Sequence, residues 1–331
     1  MARRMMDSKN QLWTNDYVDA NELWQDFTDS LEDYNLTSHG LVDLLAFRTT
    51  DKTFSVIQGA YEFEEYSDYT LPDSQDLTYL ELSVGIKDFD LRYAYTWARI
   101  LEATSKELDA RHEAALQADT RLMLKQVLRA ALTKEGLTLK GVTSPAFYNA
   151  DGTVPPTVKN TTFTGSHSHY LTSGATVLNA GDLDQMQDDL TEHGFVTDLV
   201  LMINRSQQRT IEGFTNFVPS KDRVHDIKWT NLVGEPYIGS YGQMAILVED
   251  WIPAGYLFLF SAQGQGTARP IAFRESTNEQ AQGLILQRGN NPEYPLADSF
   301  YYRKFGVGVR QRGNGVLMQV TESGSYTTPT I

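Results

Sequence analysis

The chain has 331 residues, a formal charge of −15 and no cysteine. That length suits about two domains of ~150 residues each, and a composition of 41% hydrophobic and 21% charged residues is that of a folded protein. Disulfides, thiolate metal sites and cysteine nucleophiles are excluded, and an acidic chain makes a poor reader of duplex DNA, which demands clustered Lys and Arg.

The charge is local. Residues 1–120 carry 24 acids against 10 Lys and Arg, whereas residues 121–331 carry 19 against 18. Such asymmetry points to a segment that meets a basic partner, or to a surface kept soluble before assembly. Arg3 and Arg4 precede no apolar run, so no signal peptide is expected. No apolar stretch approaches the ~18 residues of a membrane span.

Taken in chain order, residues 1–45 are acidic and weakly periodic, punctuated by Trp13, Tyr17, Leu23, Trp24 and Phe27. They fit either an arm docking on its own or another subunit, or a small helical cap. Residues 53–57, 61–66 and 77–84 have strand character. Residues 89–97 alternate, with Phe89, Leu91, Tyr93, Tyr95 and Trp97 on one face. Together, 46–97 read as a long, acidic, aromatic-rich β-hairpin with nine aromatics between Tyr61 and Trp97. Such a hairpin is marginal alone and wants a partner surface.

A long helix is predicted over about 104–134. Thr104 and Glu107 form a capping-box pattern, no Pro or Gly interrupts the run, and Gly136 ends it. At ~1.5 Å per residue it is a rod of roughly 40 Å. Residues 141–176 read as a loop or boundary. A helix over 182–192, capped by Asp182, a buried strand over 199–203 and a short helix opened by Ser206 follow. Strands over 245–251 and 256–260 flank a turn at Ile252-Pro253-Ala254-Gly255. After an alternating strand through Phe305, Val307 and Val309, Asn314-Gly315 predicts a C-terminal β-hairpin, with a loose tail over 327–331.

Chemistry-bearing patterns are few. His167 and His169 alternate on an extended stretch and could face one metal, but no further ligand stands at the spacing a cupin-like site requires. They read as hydrogen-bonding loop histidines. His193, just before Gly194, reads as a cation favoured at a helix C-terminus. Gly306-x-Gly308 and Gly264-x-Gly266 lack the helix that a phosphate loop needs. Small basic clusters occur at Lys221/Arg223, Arg303/Lys304 and Arg310/Arg312. The last two read as ordinary solvated hairpin faces, with contact to an acidic neighbouring subunit or nucleic acid as the other possibilities. No catalytic residue, cofactor or metal site is assigned.

Four stretches carry a family resemblance: 165–171 (GSHSHYL), Asp182-Leu183 through Glu192-His193-Gly194-Phe195, 248–256 (VEDWIPAGY) and 305–313 (FGVGVRQRG). With the order of elements, they resemble the major capsid proteins of tailed bacteriophages, most of all those of phages infecting actinobacteria. The resemblance implies an α+β Hong Kong 97 phage-type capsid fold. Residues 1–45 would be its N-arm, 46–97 its extended E-loop hairpin, 98–164 the peripheral domain with the spine helix, and 165–270 the axial domain. Residues 271–331 would return to the peripheral domain and end in the C-terminal hairpin and tail.

The implied function is a non-catalytic shell protein forming hexamers and pentamers of an icosahedral head around double-stranded DNA. Its partners would be itself, a scaffolding protein separate from this chain, a portal, a decoration protein and, by non-specific proximity, the packaged DNA. It would reside in the virion capsid after assembly in the host cytoplasm, with no membrane. Candidate inter-subunit contacts are Trp13, Trp24, Tyr61, Phe63, Tyr66, Tyr95, Trp97, Arg303, Lys304, Arg310 and Arg312. Lys52 and Lys87 fall in the implied E-loop, without a matched pocket for covalent crosslinking. The alternatives are an encapsulin-type compartment shell and a histidine-dependent metalloenzyme.

Overall fold

The computed structural model describes residues 12–37, 39–58, 78–220, 237–262, 269–288 and 296–331. The helices are α1 (Ala20–Leu36), α2 (Leu41–Leu45), α3 (Trp97–Glu102), α4 (Ser105–Leu132), α5 (Ala180–Thr191) and α6 (Arg205–Glu212). The strands of the first half are β1 (Ala46–Thr49), β2 (Thr53–Gln58), β3 (Thr78–Ser83), β4 (Lys87–Thr96), β5 (Leu137–Leu139) and β6 (Val142–Ser144). Those of the middle are β7 (Tyr170–Thr172), β8 (Leu199–Ile203), β9 (Phe217–Pro219), β10 (Tyr237–Tyr241), β11 (Met244–Val248) and β12 (Tyr256–Ser261). Last come β13 (Ile271–Glu275), β14 (Leu284–Arg288), β15 (Leu296–Val309) and β16 (Val316–Gln319). Two compact units result, one of residues 1–39, 86–124 and 275–306, the other of 40–85, 125–274 and 307–331.

In the first unit β15 is flanked on both edges. β4 pairs with it antiparallel from Thr96↔Leu296 to Lys87↔Phe305, and β14 pairs antiparallel from Leu284↔Arg303 to Arg288↔Ser299. This corrects the single long hairpin expected over 46–97. Its alternation is real, with Tyr93 and Tyr95 half-buried between exposed Arg92, Ala94 and Thr96. Period-2 patterning reports a face, however, and not the partner strand. β2 and β3 do form an antiparallel hairpin, Thr53↔Ser83 through Gln58↔Thr78. The strand expected over 61–66 lies outside the described residues.

Of the two readings for the N-terminal residues, the structure has a helix. α1 spans 17 residues, buries Leu23 and Leu31, and is capped by Asp19, whose carboxylate accepts from Asn21 N at 2.9 Å. Thr96 caps α3 the same way, accepting from Arg99 N, so the chain turns helical at Trp97. α4 is 28 residues, about 42 Å long. Thr104 Oγ1 accepts from Glu107 N at 3.4 Å as expected, and the Asp16 carboxylate accepts from Ser105 N at 3.0 Å.

The second unit is built on a seven-stranded sheet in the order β7-β16-β12-β8-β11-β10-β9. The apolar run Leu199–Ile203 is its centre, antiparallel to β12 and parallel to β11, with every residue buried. Leu183, Met186 and Leu190 of α5 share its core, the i, i+3, i+7 face of an amphipathic helix. α5 starts earlier than expected. Asn179 is its cap, and Asp182 closes a capping box by accepting from Asn179 N at 2.8 Å. Likewise Asn204, accepting from Ser206 N, opens α6.

Three C-terminal expectations change. The turn before β12 is shifted by one residue: Tyr256 N donates to Pro253 O, and Gly255 takes φ +82°, the left-handed position of that turn. Asn314-Gly315 does not fold β16 back on β15. Instead, Asn314 Oδ1 accepts from Ser261 N at 2.8 Å and its amide donates to Ser261 O at 3.0 Å. β16 is thereby sent between β12 and β7. The tail is anchored, because Thr327 N donates to Gln319 Oε1 and Tyr256 Oη donates to Thr327 O.

Candidate functional site

Two buried polar clusters stand out, one in each unit. In the first, Arg303 of β15 is 1% exposed. Its Nη1 lies 3.0 Å from Asp119 Oδ2 of α4, and its Nη2 lies 3.4 Å from Glu275 Oε1. Tyr34 of α1 donates to Asp119 Oδ2 at 3.0 Å, and burial with the adjacent carboxylate holds its phenol above its ordinary range. Asn35 accepts from Leu284 N and donates to Leu284 O, tying α1 to the start of β14. Alongside, His112 Nδ1 is 2.7 Å from Tyr301 Oη and its Nε2 is 2.7 Å from Ser30 Oγ. Burial lowers its pKa, which favours the neutral ring. The arrangement locks α1, α4, β14 and β15 through groups that are costly to leave unpaired.

In the second unit, His167 and His169 enter β7 and His193 follows α5. The ring nitrogens of the three lie within 4.8 Å of one another. His169 Nε2 and His193 Nε2 each approach His167 Nε2 to 2.9 Å. His169 Nδ1 lies 2.6 Å from Gly315 O. Glu192 Oε1 is 3.4 Å from His167 Nε2 and 4.0 Å from His193 Nε2. Phe163 stacks on His193 at 4.3 Å, and Tyr148 stacks on it at 5.5 Å. Arg312 lies over Tyr148 and is bound to Asp151 at 2.6 Å.

The expectation that His193 is a cation at a helix end is therefore overturned. Burial and then the neighbouring His167 push its pKa down to about 3. His169 is held well below the usual histidine range by burial first and by His193 next. A second correction follows, since a third imidazole does stand beside His167 and His169. It comes from another element, 24 residues after His169 in sequence, where no local spacing rule reaches it.

The residues expected at inter-subunit contacts divide. Arg303 and Arg312 are corrections, because both guanidinium groups are buried in the chain's own core against Asp119 and Asp151. Trp97 is also buried, packed with Leu12 and Ile100. Trp24 and Tyr95 are half-buried and line one apolar pocket with Phe27 and Trp97. Lys304 is partly buried 3.7 Å from Asp88, and Arg310 lies over the Phe47 and Phe54 rings. Trp13 is 37% exposed. Tyr61, Phe63 and Tyr66 lie outside the described residues. Sequence reasoning missed Asp119, Glu275 and Asp16, whose only signal was an acid on an otherwise apolar face or just ahead of a helix.

No family model matches the chain, and no curated protein matches it. Among solved structures, one from Mycobacterium phage Patience is 32% identical, with a TM-score of 0.75, over 99% of this chain and 96% of that one. The mature capsid of bacteriophage PhiM1 superimposes with a TM-score of 0.55 at 10% identity, over 86% of this chain and 88% of that one. The capsid of Cyanophage P-SCSP1u gives 0.56 at 10% identity, over 86% and 89%.

Proposed function

The chain belongs to the major capsid proteins of tailed bacteriophages, with the Hong Kong 97 phage-type fold, and from that premise we propose how it works as a shell subunit. It is a capsid shell protein that associates with copies of itself. The observation that carries this is the match at 32% identity along 99% of the chain.

Beyond that, the shell is icosahedral and built of hexamers and pentamers around double-stranded DNA, and the role is non-catalytic. The hairpin of β2 and β3 is the E-loop that reaches a neighbouring subunit, and α4 is the spine of the peripheral domain. The seven-stranded sheet is the axial domain at the capsomer centre. Residues ahead of α2 act as the N-arm, with part of the arm held as α1. Support comes from the acidity of residues 1–120, a net of −14. Acidic projecting parts stay soluble until a neighbour covers them and resist adhesion to DNA entering the head. A scaffolding protein, a portal and a decoration protein are the further partners, with assembly in the host cytoplasm. No helix among the described residues is long and apolar enough to cross a membrane.

Particle contents test the reading. Shells isolated from infected cells should hold double-stranded DNA and carry a tail. Shells filled instead with a cargo enzyme would place the chain among encapsulin-type compartments.

A further inference from the structure

We propose that His167, His169 and His193, with Glu192, form a binding site for a divalent transition metal of the zinc type. The inference does not depend on the shell reading, since it concerns one chain. His169 Nδ1 sits 2.6 Å from Gly315 O, a group that only accepts, so Nδ1 carries the proton and Nε2 of the neutral ring presents a bare lone pair. That lone pair faces His167 Nε2 at 2.9 Å. His193 Nε2 faces the same atom at 2.9 Å, and Glu192 Oε1 approaches it at 3.4 Å. One imidazole nitrogen holds at most one proton, so His167 Nε2 cannot donate fully to three neighbours. Hydrogen bonding leaves the hub under-satisfied, whereas a cation at the convergence point would use every lone pair.

The geometry suits the ion. Three imidazoles and a carboxylate, without thiolate, are a donor set for zinc, nickel or cobalt rather than for magnesium or calcium. Zinc–nitrogen bonds of ~2.0–2.1 Å in a tetrahedron place ligand atoms ~3.3 Å apart, so the 2.9 Å contacts need to open by ~0.4 Å while the wider separations, 4.0 Å between Glu192 Oε1 and His193 Nε2 among them, close around the ion. The supporting shell is already present. Gly315 O fixes the His169 tautomer, as outer-shell carbonyls do for metal-binding histidines. Phe163 and Tyr148 stack on the His193 ring. The nearby Arg312 charge is met by Asp151. A bound ion would pin the stretch entering β7 to the C-terminal end of α5.

The test is a zinc titration of the purified full chain after dialysis against a chelator, followed by metal analysis after gel filtration and a thermal melt. One zinc per chain and a raised Tm are expected, and cobalt in its place should give the visible absorption of a tetrahedral site. His167→Gln, the least buried of the three, should lower affinity by more than about 100-fold, and Glu192→Gln by about 10-fold, with circular dichroism unchanged. Absence of zinc uptake by the native chain would overturn the proposal without any variant. So would uptake that persists unchanged in both His167→Gln and His193→Gln, because the metal would then be bound elsewhere.

Discussion

Arg303 of β15 and Asp119 of α4 form an ion pair at 3.0 Å in which the side chains are only 2% and 3% exposed. A buried pair of this kind contributes little net stability as a pair, but removing one partner strands the other charge. Asp119→Ala should therefore destabilise the unassembled chain by about 3–5 kcal/mol in a urea melt. A loss under about 1 kcal/mol would mean that Glu275 alone suffices for Arg303.

Trp97 was expected to matter between subunits, and its burial with Leu12 and Ile100 moves the effect inside the chain. Trp97→Ala should cost about 3–5 kcal/mol before any assembly takes place. Trp13→Ala, at a position 37% exposed, should cost far less. Equal melting temperatures for the two variants would contradict this division.

Gly308 lies in β15 where a Cβ would fall 2.7 Å from Ser144 Cβ and 2.9 Å from Val84 Cγ2. Gly308→Ala forces those neighbours apart and should destabilise by about 1–3 kcal/mol. Pairing it with Ser144→Gly should return part of the loss. Failure of the double variant to recover any stability would show that the Val84 side chain, and not that of Ser144, sets the limit.

The Asp16 carboxylate accepts from Ser105 N and Ser105 Oγ at the start of α4 and from Thr14 Oγ1. The hydrogen bond from the Ser105 side chain, then that from Thr14, lowers its pKa to about 2. The folded state thus binds this proton less readily than the unfolded state does. Its contribution is present above the unfolded pKa of 3.8 and is lost as pH falls through about 2. Asp16→Asn should lower stability at neutral pH and flatten the acid limb of the stability curve between pH 4 and about 2. An acid limb identical to that of the native chain would remove Asp16 from the account.

These residues also show what could be read from the sequence. α4 was legible because 28 residues without Gly or Pro leave a helix as the lowest-cost conformation, and β8 because five consecutive apolar residues suit a doubly covered strand. The partner of β4 was not legible. Its ladder is with β15, some two hundred residues away, and alternation is indifferent to which strand answers it. Asn314-Gly315 misled for a related reason. Its local turn chemistry favoured a hairpin, and the bonds from Asn314 to Ser261 outweighed it. The histidine site was half visible. His167 and His169 declared themselves by alternation, while His193 joins them only through the packing of α5 on the sheet. Arg303 and Arg312 read as solvated charges because sequence cannot show that Asp119 and Asp151 would meet them.

The shell role rests on self-association, so the most direct measurement is negative-stain microscopy of the purified chain over a range of concentrations, with and without a scaffolding protein. The account predicts closed, regular shells of uniform size. Single chains persisting at every concentration, scaffold included, would contradict it.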